Sequence, residues 1–204
     1  SLSVIECDST TGYLYGLVSY SKSIYMARID PITGSMTNIR NLGINGVSHG
    51  VSSAYRDIMV FVQRPSNKLT QVNMENGLVI SSPTLPSDVL VHSLELYDGR
   101  GYHVAENHDN GQYFVGTYYD NSQGKERISR FTVSNAAVQR GANIDGTNSA
   151  QGVSTFDSES MKSVHKFEKS GKEQLQTFSS TAYSNTLDLP SELKTTFIKY
   201  SHGW

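Results

Sequence analysis

Four segments of this chain begin alike, and that recurrence constrains the fold more than any other feature. SVIECDSTTGY (Ser3 to Tyr13), GVSSAYRDIM (Gly50 to Met59), SLELYDGRGY (Ser93 to Tyr102) and GVSTFDSESM (Gly152 to Met161) each give an apolar residue, a short alternating strand, an acidic residue and a turn into another apolar strand. Val4, Val51, Leu94 and Val153 align. A second set follows at similar offsets: MARIDPITGSMTNI (Met26 to Ile39), TQVNMENGLVIS (Thr70 to Ser81), SRFTVSNAAVQ (Ser129 to Gln139) and QTFSSTAYSNTLDL (Gln176 to Leu189). Each holds a strand, a turn and a further strand. The turn chemistry is explicit in DPITG and MENG, where Pro31 presets φ and Gly34 or Gly77 supplies a positive φ.

Between these anchors the chain alternates apolar and polar residues in short runs bounded by Gly, Asn, Asp, Ser and Pro, and no segment sustains a period of 3.6. The chain is therefore expected to be all-β. Four strands per unit at a period of roughly 45 residues is the pattern of a β-propeller blade. We expect a single propeller domain over 1–204, four-bladed or a small five-bladed variant, with units at about 1–46, 47–90, 91–148 and 149–192 and a closing strand at 193–204. The closing strand follows from TTFIKYSHGW (Thr195 to Trp204), in which Phe197 aligns with Val4 and its counterparts. That strand is expected to close the ring or to pair with another chain. Strand patterning alone also admits a two-sheet β-sandwich.

LYGLVSYSKSIYMARIDPITGSMTNI, Leu14 to Ile39, resembles one blade of the large propeller group that carries LYG and I-D-P-x-T-G signatures, in the style of YVTN and NHL repeats. Later units keep the turn but lose the proline, as in VNMENG. The resemblance implies a propeller and no particular activity, since propellers host lectins, hydrolases, scaffolds and receptors.

Composition excludes several partners. With 17 basic and 19 acidic residues the formal charge is −2, which leaves no electrostatic footprint for nucleic acid. No window approaches ~18 uninterrupted apolar residues, so no spanning helix is expected. Cys7 is the single cysteine, which rules out an intrachain disulfide and reads as a small buried hydrophobe. A chain opening on Ser1 rather than methionine is expected to be a processed or excised segment. Low charge, together with abundant Ser, Thr, Asn and Tyr, leads us to expect an extracellular or secreted setting, although no Asn-x-Ser/Thr sequon is present.

No catalytic signature appears: G-x-S-x-G, H-E-x-x-H, a P-loop and a sialidase-type box are all missing from the sequence. ENHDNGQ lacks the closing glutamate of a calcium loop and reads as a turn. We expect a non-catalytic binding module with no cofactor and no resident metal.

Two sets of candidate ligand residues emerge from the repeat. Two positions before the aligned apolar residues stand His49, His92 and Gln151, a channel ring of polar side chains able to take an anion, a metal or a small ligand, with His49 and His92 as the imidazoles that could ligate a transition metal. The second set is aromatic. Tyr55, Tyr97, Tyr102 and Trp204, beside Arg56, Asp57, Asp98 and Arg100, put flat rings next to groups that hydrogen-bond hydroxyls, and Tyr13 belongs with them. Such pairing suits sugars, because a pyranose has apolar faces and a polar rim. A glycan is the leading ligand on this reading, with a protein partner or a homo-oligomeric contact through the terminal strand as the alternatives.

Overall fold

The computed structural model describes residues 1–8, 11–55, 57–96, 113–143, 154–157, 162–179 and 183–190. Within them the chain forms four antiparallel sheets of four strands, each a simple meander. The first blade contains β1 (Leu2–Cys7), β2 (Leu14–Tyr20), β3 (Ser23–Ile29) and β4 (Met36–Asn41). The second contains β5 (Val47–Tyr55), β6 (Ile58–Gln63), β7 (Lys68–Asn73) and β8 (Val79–Ser81). β9 (Val89–Leu96), β10 (Tyr113–Asp120), β11 (Lys125–Thr132) and β12 (Val138–Asn143) make the third. β13 (Ser154–Asp157), β14 (Lys162–Lys169), β15 (Lys172–Ser179) and β16 (Tyr183–Asp188) make the fourth. The first strands adjoin one another, β1 against β5, β5 against β9 and β9 against β13, so the sheets succeed one another about a shared line. That is the arrangement of propeller blades and not of two stacked layers.

Period-2 patterning explains how one blade can serve two neighbours. Every residue of β6 is buried, because its alternate side chains leave the sheet on opposite faces and both faces are covered. Ile58, Val60 and Val62 join Val89, Val91, Leu94, Phe131 and Val133 in the core between the second and third blades. Met59 and Phe61 join Val4, Tyr15, Leu17, Met26 and Leu42 in the core between the first and second. A run that looks like a continuous apolar strand is thus two interleaved half-cores.

The hairpins follow local chemistry. Ser21 and Lys22 both have positive φ in the two-residue β2–β3 turn, as do Ser170 and Gly171 in the β14–β15 turn, the geometry whose twist matches paired strands. The β3–β4 and β7–β8 turns share another design. Asp30 Oδ1 accepts the Ile32 amide at 2.8 Å, and Asn73 Oδ1 accepts the Asn76 amide at 3.1 Å. The left-handed position is filled by Gly34 in the first turn, Gly77 in the second and Ala136 in the corresponding β11–β12 turn.

Each of the first three inner strands is irregular near its start. The β1 register shifts between Leu2 and Val4, that of β5 between Val47 and Ser52, and that of β9 between Val91 and Ser93. His92 is the extra residue of the β9 bulge, which turns Val91 and Leu94 toward the same core despite their odd spacing.

Candidate binding surface at the hairpin end

In a meander the connections alternate between the two ends of the sheet. The β1–β2, β3–β4, β5–β6, β7–β8, β9–β10 and β11–β12 connections therefore gather at one end, and the turns inside β2–β3, β6–β7 and β10–β11 gather at the other with the links between blades. Among the described residues, the aromatic candidates Tyr13 and Tyr55 belong to the first end. Tyr55 closes β5, and Asp57 stands in the β5–β6 turn. Arg56 lies outside the described residues, as do Tyr97, Asp98, Arg100 and Tyr102 of the 97–112 connection and Trp204.

Asp57 is half-buried and already engaged. Its Oδ2 accepts Asn73 Nδ2 at 2.5 Å, and its carbonyl accepts the Met74 amide at 2.6 Å, so it ties the inner hairpin of the second blade to the outer one. Asp8 does similar work one blade earlier: it is buried, and its carboxylate accepts the Thr11 hydroxyl at 2.6 Å and the Thr11 amide at 3.4 Å. In the first two blades the recurring acidic residue of the repeat is thus a turn fastener.

Among the described residues, a recess at this end lies on the first blade. A cleft of about 440 Å³ opens between the β1–β2 and β3–β4 connections, lined by Thr11, Tyr13, Arg28, Asp30, Ile32 and Thr37 among others. The Arg28 guanidinium sits 4.9 Å from the centre of the Tyr13 ring, a cation–π contact that stiffens one wall. The pairing of Leu14 with Ile29 brings Tyr13 across from Asp30. The Ile32 and Thr33 amides donate to Asp30, which holds its carboxyl below the usual carboxylate range and keeps it charged at neutral pH. Ile32, 92% exposed, stands at the rim. An aromatic face, a cation, an anion and an apolar tip share one recess. Tyr13 was legible as an aromatic beside a turn. Arg28 and Asp30 become its neighbours only through the β2–β3 register, which no local motif states.

The channel set distributes differently. His49 belongs to β5 and Gln151 lies outside the described residues. His92 is half-buried and in electrostatic contact with His165 of β14, so it belongs to the seam between the third and fourth blades. His165 is completely buried; burial first, and the neighbouring His92 second, push its imidazole down to about 3, so the ring is neutral at any physiological pH. The register places Ser154, His165, Gln176 and Thr186 in one cross-strand row of the fourth blade. That polar row contrasts with the apolar seams between the first three blades. Sequence reasoning missed His165, whose only signal was a histidine at an inward position of an alternating strand. Among the described residues no group of three or more His, Cys, Asp or Glu could hold a metal.

A second buried charge fastens the far end of the third blade. Asp120 pairs with Arg127 at 3.1 Å and accepts the Ser122 amide at 3.0 Å. The Ser122 hydroxyl bond is the largest influence holding its carboxyl below the ordinary value.

No protein-family model matches the chain, and neither does any curated protein sequence. Solved structures do. The chain is similar to the WD40 domain of Toxoplasma gondii coronin, with a TM-score of 0.60, 12% identity and coverage of 90% of this chain and 44% of that one. It is similar to the Dos1 propeller, with a TM-score of 0.56 at 10% identity, covering 93% and 47%. It is also similar to a chain of the nidogen/laminin complex, with a TM-score of 0.54 at 9% identity, covering 91% and 79%. The chain thus spans less than half the length of the first two. The sheets and these likenesses together define an all-β protein of the β-propeller class. Identities this low speak to fold alone.

Proposed function

We propose that this chain is a non-catalytic binding module that holds a protein partner on the hairpin end of its blades, with the Tyr13 cleft as a principal contact. The cleft carries the reading: an accessible ring, Arg28, Asp30 and the protruding Ile32 offer an apolar anchor flanked by both signs of charge, the mixture that recognises an extended peptide or loop. The neighbouring β5–β6 connection, with Tyr55 and Asp57, would enlarge that surface. The nidogen/laminin complex, an assembly between proteins, lends support by likeness of fold. Low charge and many uncharged polar residues suit an extracellular setting.

One observation favours a second reading. Tyr13 keeps its ring half exposed beside Arg28 and Asp30, an arrangement that also fits the apolar face and hydroxyl rim of a sugar. The two readings separate in one pair of assays, a displayed peptide library and a glycan array, each run with wild type and with Tyr13→Ala. Enriched peptides whose binding weakens at least about tenfold in Tyr13→Ala and in Ile32→Asp support the protein partner, tenfold being ~1.4 kcal/mol. Glycan hits lost in Tyr13→Ala without peptide enrichment move the ligand to a sugar. Two blank assays, or binding indifferent to Tyr13, overturn the cleft as the site.

A further inference from the structure

A guanidinium carries five N–H donors in a fixed plane and accepts nothing, so an arginine declares its role by where those donors go. Four arginines of this chain send them into the fold. Arg40 Nε donates to the Asn76 carbonyl at 3.0 Å, and Arg64 donates to Asn67 Oδ1 at 2.9 Å and to the Val91 carbonyl at 3.3 Å. Arg127 donates to the Gly141 carbonyl at 3.0 Å and pairs with Asp120, while Arg140 pairs with Asp88 at 2.5 Å. Arg28 departs from that pattern. Among the described residues it makes no hydrogen bond and no ion pair; its guanidinium lies over the Tyr13 ring.

This exception stands in the recess. Arg28 and Tyr13 both line the cleft at the hairpin end, and both are exposed. A guanidinium held over an aromatic face keeps most of its N–H groups for a ligand, and the ring limits its freedom before the ligand arrives. The group that matches its fork is a carboxylate, which takes two parallel N–H bonds. The surroundings limit how much negative charge can come with it. Asp30 shares the cleft and is ionised at neutral pH, and Asp8 and Glu75 act on Tyr15, the residue paired with Arg28 across β2 and β3. A run of acids would be repelled by those carboxylates, whereas one acid among uncharged residues gains Arg28 and brings little repulsion with it.

We propose that Arg28 is the specificity-determining residue of the Tyr13 cleft and receives one carboxylate of a protein partner, an Asp or Glu side chain in an extended segment otherwise free of acids. This rests on the reading of the cleft as a protein-binding site and names the chemistry that the site selects. Tyr13 and Ile32 take the apolar neighbours of the acid, and Arg28 fixes its position along the segment. Arginine beside tyrosine is the pairing on which protein interfaces concentrate their binding energy.

A displayed library of random peptides, selected separately on wild type, Arg28→Met, Arg28→Lys and Arg28→Glu, reads this directly. Position 28 is exposed, so each variant is expected to keep the wild-type circular dichroism. Wild type should enrich one Asp or Glu at a fixed place between uncharged residues. Arg28→Glu should exchange that acid for Lys or Arg, and Arg28→Met should lose the preference. Arg28→Lys should keep it at lower affinity, having the charge without the fork. Changing the acid of a selected peptide to its amide should weaken binding to wild type at least about tenfold and alter binding to Arg28→Met less than about twofold. Peptides enriched through Tyr13 with no preference for an acid overturn the role of Arg28 and leave the cleft as a protein site. Enrichment of long acidic runs overturns the single carboxylate. No enrichment on wild type, or capture of carboxylated sugars alone on a glycan array, overturns the protein reading and the role of Arg28 with it.

Discussion

At the scale of single residues, the outer hairpins show how much a turn depends on one position. Gly34 and Gly77 have nearly the same backbone, with φ of 70° and 67°, but different surroundings. A Cβ on Gly34 would meet open space, whereas one on Gly77 would lie 2.7 Å from Cβ of Arg40, whose Nε donates to the Asn76 carbonyl at 3.0 Å. Gly34→Ala should therefore cost only the left-handed penalty, about 1 kcal/mol, and Gly77→Ala distinctly more. Urea unfolding of the pair checks this, and equal costs would contradict the packing described at Gly77. The residue scale is also where the sequence was easiest to interpret. DPITG and MENG announce their turns, and Asn73 takes the capping role of Asp30 without the proline. What local sequence could not state is which aspartates are spoken for: Asp57 looks like a ligand group beside Tyr55, and its carboxylate is committed to Asn73.

At the scale of elements, β6 joins two cores. Phe61 is fully buried between the first and second blades, so Phe61→Ala should destabilise by about 3–5 kcal/mol through lost burial and a cavity. Val79→Ala, on an exposed strand, should stay within about 0.5 kcal/mol. Comparing the two unfolding midpoints tests whether the second blade is covered on both faces as described. The strands themselves were readable, since alternation and turn residues bound β3, β10 and β11 closely. The partners of each face were not. Alternation says that two faces differ; it does not say that one face of the first blade meets Met59 and Phe61. The cleft was half legible for the same reason, since Tyr13 declares itself and its pairing with Arg28 and Asp30 needs the register.

On the scale of the whole molecule, the seams between blades are chemically unequal. Two are hydrocarbon, and the third places neutral His165 beside His92. An unfolded histidine titrates near 6.5, while His165 in the fold stays neutral down to about 3. Between those values the unfolded chain binds a proton that the folded chain refuses. The stability this neutral ring brings is therefore whole above about pH 6.5 and is lost as pH falls, by about 1.4 kcal/mol per unit. Asp120 adds its own loss only lower, below the ordinary carboxylate range, because its folded value is depressed. Urea midpoints at pH 7 and pH 5 should differ in wild type and converge in His165→Phe; an unchanged gap in that variant would place the acid sensitivity elsewhere.

The polar seam also gives the molecule a weak joint. Mild acid should unfasten the fourth blade while the hydrocarbon-cemented trio stays assembled, so deuterium would enter the amides of β14 and β15 well before those of β6 and β7. In an acidifying compartment the chain would come apart from one side, in a fixed order, and not all at once.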